Sequence, residues 1–173
     1  MLEAYDARWG VEFAALREVY VEALEALILR VEHVGSTAVP GLRAKPILDI
    51  DIVISGYEVF PQVVVGLERL GYAHNGNQGI PEREAFKPAD ELTPRVLPSR
   101  KWMTHHLYVC PEGSRELRRH VAFRDALRGS EDLRVAYETL KMEIAGKAGG
   151  DRKVYARIKE EACREFVERV VGG

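Results

Sequence analysis

The 173-residue sequence predicts a single α/β domain. The length suits one domain, and 46% hydrophobic with 30% charged residues is enough for a core and a solvated surface. Segments with the two-residue period of strands lie between segments with the three-to-four-residue spacing of helices. No internal repeat or low-complexity linker divides the sequence. We therefore expect residues 1–173 to form one domain.

The N-terminal part has the pattern of one amphipathic helix followed by a short strand. Over residues 6–30, apolar side chains recur mostly every three or four positions, which places them on one helix face. The next segment, 31–34, has a β-branched residue at each end and stops at Gly35, so we predict a strand. Residues 35–46 contain two glycines and two prolines and are predicted to be irregular.

Residues 47–54, with the sequence ILDIDIVI, give the strongest strand signal. The even positions are all apolar, whereas the odd positions include Asp49 and Asp51. Because alternate side chains of a strand point to opposite faces, one face is apolar and the other carries two carboxylates.

Three further segments continue the alternation of helix and strand. In chain order they are a helix over 57–70, a short strand near 85–87 between two loops, and a strand over 101–110. On the last strand, Leu107 and Val109 share one face, and His106 and Tyr108 share the other.

The rest of the chain is predicted to form three helices, over 114–128, 130–147 and 151–171. Ser130 is suited to cap the second helix, and the acidic residues Glu131 and Asp132 in its first turn favour the helix dipole. The pair Gly149–Gly150 separates the last two helices. The C-terminal part is therefore expected to be helical.

Composition argues against several classes of protein. The net charge is −2, with 25 basic and 27 acidic residues mixed along the chain, which gives no overall attraction to nucleic acid or an anionic membrane. The start of the chain lacks the features of a signal peptide, and no apolar stretch is long enough to span a bilayer. We expect a cytoplasmic protein, with Cys110 and Cys163 reduced and packed.

Asp49 and Asp51 are the sharpest candidates for chemistry. On a strand they lie on one side, about 6–7 Å apart at their Cα atoms. Two such carboxylates repel each other unless a cation lies between them, and Mg²⁺ or Mn²⁺ prefers oxygen ligands. The alternative is a solvated strand face, or ion pairs with bases such as Arg43 or Lys45. The strand alone leaves both interpretations open.

Gly35 and Ser36 lie shortly before that strand. A glycine lets the backbone approach a ligand closely, and free N–H groups with a serine hydroxyl can hold phosphate oxygens. An ordinary turn is the alternative. The segment is not a P-loop, because no Lys-Ser or Lys-Thr pair follows the second glycine.

The order of these features resembles the core of the nucleotidyltransferase superfamily: a short strand, Gly-Ser, a spacer, and a strand with Asp-x-Asp. A closer resemblance is to the GrpB family, carried by HVGSTAVPGLRAKPILD, THHLYV and LRRHVAFRD. The matching segments are 5–9, 33–49, 104–109, 117–125, 137–141 and 155–159. The resemblance implies a nucleotidyltransferase-like fold, with a mixed sheet flanked by helices and a helical C-terminal part.

The resemblance also implies roles for individual residues. Gly35, Ser36 and Thr37 would hold the phosphates of a nucleoside triphosphate, and Asp49 with Asp51 would bind Mg²⁺ or Mn²⁺. Active nucleotidyltransferases usually carry a third carboxylate on a later strand, where this chain offers His106 as a metal ligand, a general base or a structural residue. The basic residues that would contact phosphate, unless they are merely solvated, are Lys45, Arg124, Lys141 and Lys159.

The preferred hypothesis is a metal-dependent nucleotidyltransferase with Asp49, Asp51 and His106 as catalytic residues. It would act on a nucleoside triphosphate and an unknown, small-molecule acceptor. One alternative is a non-catalytic module for a nucleotide or a coenzyme A-related ligand, since some relatives carry such a domain joined to dephospho-CoA kinase. Another is an interaction domain without a ligand.

Three further histidines and Trp102 are expected to have structural positions. His33 is interpreted as a hydrogen-bonded strand residue, His120 and Trp102 as packing residues, and His74 as a loop residue.

Overall fold

The predicted α/β class is confirmed by a computed structural model, which describes residues 1–147 and 151–172. The elements in chain order are α1 (Arg8–Leu24), β1 (Arg30–Val34), β2 (Leu48–Ile54), α2 (Phe60–Arg69), β3 (Tyr72–His74), β4 (Glu84–Pro88), β5 (His105–Pro111), α3 (Arg115–Gly129), α4 (Glu131–Lys147) and α5 (Arg152–Gly172). Short 3₁₀ turns lie at Glu25–Leu27 and Ser36–Ala38.

The strands form a five-stranded sheet in the order β1-β2-β5-β4-β3. Strands β2 and β5 are parallel, and the other neighbours are antiparallel, so the sheet is mixed as the family resemblance implied. Asp49 is opposite Val34 on one side and His106 on the other. This register brings the end of β1 and the start of β5 to the same carboxylate.

The main core lies on one face of β2. Its four even-numbered side chains are completely buried against the inner faces of α1 and α2. Burial of an aliphatic side chain contributes about 1.5–3 kcal/mol, so this face determines how β2 is oriented. The principal buried residues of this layer are Trp9, Leu16, Tyr20, Leu24, Leu48, Ile50, Ile52, Ile54, Val63 and Leu67.

The opposite face of the sheet meets the C-terminal helices. Helix α3 contacts β1 and β5, and Leu117 packs there with Val53 and Cys110. Helices α3, α4 and α5 pack on one another. A separate apolar cluster joins the segment after β1 to these helices, and it contains Val39, Leu42, Leu127, Tyr137 and Phe166. The loop that follows Gly35 is therefore fixed to the helical part of the chain.

Several element boundaries differ from the sequence prediction. Helix α1 ends at Leu24 rather than near residue 30, because Glu25 has a left-handed φ of 46° and a 3₁₀ turn follows. His74 was expected on a loop, but it lies on β3, a three-residue edge strand that is too short to show a period. Strand β5 begins at His105, later than predicted.

Other local predictions are confirmed. Ser130 caps α4, since the Leu133 N–H donates to its hydroxyl oxygen at 3.2 Å. Both cysteines are free, with Cys110 buried and Cys163 partly buried. The predicted break at Gly149–Gly150 lies outside the described residues. Of the helices that the structure describes, none is both long enough and apolar enough to cross a bilayer.

A buried chain of hydrogen bonds links α1, β3 and β5. The hydroxyls of Tyr20 and Tyr72 are 2.7 Å apart, and the Tyr72 hydroxyl is 2.6 Å from His105 Nε2. Burial lowers the pKa of His105, and its Nδ1 donates to the Met103 carbonyl at 2.8 Å. Nε2 therefore accepts from Tyr72, which in turn accepts from Tyr20. The chain fixes β5 directly beside His106.

Replacing Tyr72 with phenylalanine removes the donor to His105 Nε2 and the acceptor for Tyr20. We expect Tyr72→Phe to lower the free energy of unfolding by about 1–3 kcal/mol, because buried polar atoms lose their partners. Urea denaturation measures the change. Tyr57→Phe is the matched control, since the Tyr57 hydroxyl is 3.4 Å from Glu84 at the surface, and its effect should stay within about 0.5 kcal/mol. Equal losses in the two variants would contradict the buried chain.

Candidate functional site

The carboxylate of Asp49 is held between β5 and the end of β1. Its Oδ1 lies 3.0 Å from Nδ1 of His106, whose side chain is 54% exposed. The hydrogen bond to Asp49 raises the pKa of His106. Because Nδ1 carries the proton that faces Asp49, Nε2 is directed away from this bond and is the nitrogen that can contact a ligand.

The second oxygen of Asp49 lies against the backbone of Gly35. Gly35 has a φ of 73°, and a Cβ atom at this position would lie 2.3 Å from Asp49 Oδ2. A larger residue would therefore meet both a strained left-handed backbone and a steric overlap. The sequence predicted that the Gly35 backbone closely approaches a ligand. In the structure, it closely approaches the Asp49 side chain.

Ser36 and Thr37 have different surroundings in the turn after Gly35. Ser36 Oγ accepts a hydrogen bond from Lys141 Nζ at 3.2 Å. The Thr37 hydroxyl donates to the Ile47 carbonyl at 3.2 Å and is 3.0 Å from His33 Nε2. Burial lowers the pKa of His33 to about 4, so this histidine is neutral and hydrogen-bonded, as predicted. Thr37 holds the turn, whereas Ser36 faces the basic residues.

Beside Asp49 is a cavity of about 180 Å³, which we call the lysine cavity. Three lysines from three different segments line it together with one carboxylate, a composition that favours an anionic ligand. It gathers most of the residues predicted to form the site. Its lining is Leu2, Ser36, Thr37, Ala44, Lys45, Ile47, Asp49, His106, Lys141, Tyr155 and Lys159.

Two further cavities adjoin the lysine cavity. A larger one, of about 640 Å³, shares Lys45, Tyr155 and Lys159 with it. A smaller one, of about 150 Å³, shares only His106, and we call it the strand cavity. The strand cavity is lined by Asn75, Gln78, Ala85, Phe86, Lys87, Pro88, His105, His106, Leu107 and Tyr108. His106 is therefore the residue shared by a lysine-rich cavity and by one whose lining includes two amide residues.

Lys141 is the most enclosed of the three lysines. Its Nζ donates to the Arg43 carbonyl at 2.5 Å and to Ser36 Oγ at 3.2 Å. Burial, together with the nearby charge of Lys159, lowers the pKa of Lys141 to about 8. The ammonium group is thus charged at neutral pH but loses its proton more readily than an exposed lysine. Lys45 lies at the cavity rim, with Nζ 4.8 Å from the ring centre of Tyr155.

Asp51 is completely buried, and its Oδ2 lies 2.6 Å from Nδ1 of His120 on α3. The other ring nitrogen of His120 is 3.5 Å from Glu116 Oε2. Burial opposes the charge of His120, but the bonds to Asp51 and Glu116 raise its pKa to about 9. The alternative of a solvated strand face is thus excluded for Asp51, and the expectation that His120 is a packing residue is corrected, because it holds a buried carboxylate.

The site fits a divalent cation only in part. Asp51 Oδ1 is buried without a hydrogen-bond partner, and a cation would compensate this costly oxygen. Within residues 1–147 and 151–172, however, no three His, Cys, Asp or Glu side chains are grouped to hold a metal ion. The predicted set of Asp49, Asp51 and His106 therefore does not form a complete cage. Two carboxylates suffice for Mg²⁺ when substrate phosphate and water supply the other ligands.

Arg124 is not brought to the lysine cavity. Its Nη1 donates to Glu32 Oε2 at 2.6 Å and to the His33 carbonyl at 3.0 Å. These bonds tie α3 to β1, because the helix turns this residue toward the sheet. The phosphate contact predicted for Arg124 has no support in this geometry.

His120 and Glu116 are the residues that sequence reasoning missed. They are four residues apart on a predicted helix, a spacing that places both on one face. That signal was present in the sequence. The sequence contained no signal for the strand that this helix face contacts, because that contact depends on how α3 packs against the sheet.

Comparisons with known proteins agree with the fold and identify relatives. A family model described as GrpB protein matches residues 1–169. A UPF0157 protein of Pseudomonas aeruginosa is 35% identical over 166 residues, which cover 96% of this chain and 65% of the relative. The crystal structure of the conserved protein GrpB from Enterococcus faecalis has a TM-score of 0.79 and 26% identity, with 99% and 98% of the two chains covered.

More distant similarities concern the fold and a larger relative. The crystal structure of the Cid1 poly(U) polymerase has a TM-score of 0.54 at 10% identity and covers 86% of this chain and 43% of Cid1. The fold is therefore nucleotidyltransferase-like, as predicted. A dephospho-CoA kinase of Mycolicibacterium paratuberculosis is 27% identical over 166 residues, which cover 82% of this chain and 38% of that protein. The chain also spans only 43% of a UPF0157 protein of Bacillus subtilis.

Alanine substitutions at two glycines test the contact between Gly35 and Asp49. Gly41 also has a left-handed φ, of 83°, but a Cβ atom there would meet nothing within 4 Å. Gly41→Ala should cost about 1–2 kcal/mol through backbone strain alone. Gly35→Ala should cost more in urea denaturation, because its ψ of −173° belongs to a region that is essentially restricted to glycine and because its Cβ displaces Asp49. The displacement of Asp49 is read separately by NMR titration, which should show the pKa of His106 moving back toward its ordinary value. Equal costs and an unchanged His106 titration would contradict the contact.

Proposed function

This chain belongs to the GrpB family, and from that membership and its site we propose that it is a metal-dependent nucleotidyltransferase. It would transfer a nucleotidyl group from a nucleoside triphosphate to a small-molecule acceptor. The observation that carries the proposal is the lysine cavity, where Ser36 and three lysines meet Asp49 and His106 on a nucleotidyltransferase-like fold.

The triphosphate is proposed to lie in the lysine cavity. Lys45, Lys141 and Lys159 supply three positive charges, and ammonium groups bind phosphate oxygens as point charges. The Ser36 hydroxyl, which already accepts from Lys141, can donate its own proton to a phosphate oxygen. Thr37 supports the turn, since its hydroxyl is bonded to Ile47 and His33.

Asp49 and Asp51 are the residues proposed to hold Mg²⁺ or Mn²⁺. A bound divalent ion would neutralise charge that develops on the phosphates. The contacts of Asp49 with His106 and Gly35 keep its carboxylate at the edge of the lysine cavity. The unpartnered Oδ1 of Asp51 is the oxygen that remains for a cation.

His106 is proposed to accept the proton of the acceptor. The acceptor hydroxyl oxygen attacks the α-phosphorus, pyrophosphate leaves, and the hydroxyl proton passes to Nε2 of His106. Asp49 holds the opposite ring nitrogen, which fixes the tautomer that this step needs. The strand cavity on the other side of His106 is the proposed acceptor site, and its volume of about 150 Å³ supports a small molecule.

A second candidate is a non-catalytic module for a nucleotide or a coenzyme A-related ligand. It is favoured by His106, which stands opposite Asp49 where active nucleotidyltransferases usually carry a carboxylate, and by the similarity to a dephospho-CoA kinase. Release of pyrophosphate in the presence of an acceptor distinguishes the two candidates, because only the enzyme releases it.

A thermal-shift titration with Mn²⁺ and each common nucleoside triphosphate tests the proposed site. At a free ligand concentration about 100 times the Kd, binding adds about 2.7 kcal/mol to stability, which raises the Tm by about 5–10 °C for a domain of this size. We expect this rise with one triphosphate in the wild type and its loss in Asp49→Asn/Asp51→Asn.

The control for this titration is Glu18→Gln/Glu22→Gln, which removes two exposed carboxylates of α1. It should keep the full rise in Tm. A rise of equal size in the Asp49→Asn/Asp51→Asn variant would contradict the assignment of the two aspartates.

The lowered pKa of Lys141 predicts how the affinity for triphosphate depends on pH. Inorganic tripolyphosphate should bind more weakly as the pH rises through about 8, because Lys141 then loses its charge. Calorimetry of the wild type, Lys141→Arg and Lys141→Met measures the effect. The arginine variant should keep its affinity to higher pH, and the methionine variant should bind weakly throughout. A wild-type affinity that is constant from pH 7 to 9 would contradict the role of Lys141.

The same lowered pKa affects stability with a defined sign. Between about pH 8 and the ordinary lysine pKa of 10.5, the unfolded state binds a proton at residue 141 that the folded state does not. Lys141 therefore makes the free energy of unfolding rise with pH in this window. Its contribution to stability is lost as the pH falls through 8. Urea denaturation should show a smaller rise in Lys141→Met than in the wild type.

A further inference from the structure

We infer that His120 is a positioning residue, which holds Asp51 so that its second oxygen can bind the metal ion. The inference rests on the proposed metal-dependent function and adds α3 to the machinery of the site.

Asp51 depends on His120 for its orientation. The backbone of β2 determines only the strand face on which the side chain lies, and the carboxylate can still rotate about its side-chain bonds. The Asp51 side chain is completely buried. Within the described residues, its hydrogen-bonding contact is the one between Oδ2 and His120 Nδ1, at 2.6 Å. Removal of that donor leaves both carboxylate oxygens without a protein partner.

His120 is itself held at both ring nitrogens. While Nδ1 donates to Asp51, Nε2 faces Glu116 Oε2 at 3.5 Å. The Arg119 guanidinium donates to the other oxygen of Glu116 at 2.9 Å. The imidazole cannot rotate without losing a carboxylate on one side or the other.

The first turn of α3, which carries Glu116, is also fixed. Ser114 caps the helix through the Leu117 N–H at 3.3 Å. The Leu117 side chain is buried against the sheet. The orientation of Asp51 is therefore determined, through His120, by a helix whose first turn is capped and packed against the sheet.

The oxygen that remains is the one suited to a cation. Oδ2 is bonded to His120, and Oδ1 is buried without a hydrogen-bond partner. Metal-binding side chains are commonly oriented by such hydrogen bonds from residues behind them, and loss of these bonds typically weakens metal affinity about 10–100-fold. His120 has the position and the contacts for this role toward Asp51.

Two substitutions separate the contacts of His120. In His120→Asn the amide nitrogen takes the place of Nδ1 and can still donate to Asp51. In His120→Gln the amide nitrogen takes the place of Nε2 and can reach Glu116 only. Mn²⁺ is titrated into each folded protein, first alone and then with a nucleoside triphosphate present, and free Mn²⁺ is followed by electron paramagnetic resonance well below the Tm. His74→Ala is the control, because His74 lies on β3, outside the three cavities of the site.

We expect His120→Gln to bind Mn²⁺ about 10–100-fold more weakly than the wild type, and His120→Asn to keep most of the affinity. The control should match the wild type. A purely structural role for His120 would lower the Tm of both variants without separating their affinities for Mn²⁺.

Equal Mn²⁺ affinities for the asparagine and glutamine variants would overturn the inference while leaving the proposed function intact. So would an affinity of His120→Gln that equals that of the wild type. Failure of the wild type to bind Mn²⁺, with or without a nucleoside triphosphate, would instead contradict the metal-dependent function on which the inference rests.

Discussion

The two-residue period of β2 is the constraint on which the rest of the site depends. Leu48, Ile50, Ile52 and Ile54 are completely buried against α1 and α2, and their burial determines which way the strand faces. A shift of one residue would bring carboxylates into the apolar core. The two aspartates must therefore lie on the opposite face, and the neighbouring elements supply their partners.

The three C-terminal helices supply several of those partners. Each C-terminal helix contributes one basic side chain near β2: His120 from α3, Lys141 from α4 and Lys159 from α5. Because like charges in a confined space repel each other, such an arrangement is stable only with carboxylates or an anionic ligand nearby. The net charge of −2 conceals this local concentration of positive charge, since acidic residues elsewhere compensate for it.

Local patterns predicted much of this arrangement, and contacts between distant segments account for the rest. The alternation of residues 47–54 was sufficient to predict β2 and to place Asp49 on the face opposite the core. The family resemblance placed His106 on a later strand as a candidate for the same site, and the structure shows its imidazole in contact with Asp49. The packing role predicted for His120 was wrong, and the phosphate contact predicted for Arg124 found no support. The partners of both residues are determined by how α3 packs on the sheet.

The hydrogen bonds of Lys141 affect how evolution within the family should be interpreted. This side chain closes the loop by donating to the Arg43 carbonyl as well as to Ser36. Retention of this lysine in a relative would therefore have two sources, the closure of the loop and the binding of an anion. The ammonium groups of Lys45 and Lys159 make no hydrogen bond within residues 1–147 and 151–172, so the fold constrains these two side chains less than Lys141. Their retention in a lineage is the better indicator of an ancestral function that is still under selection.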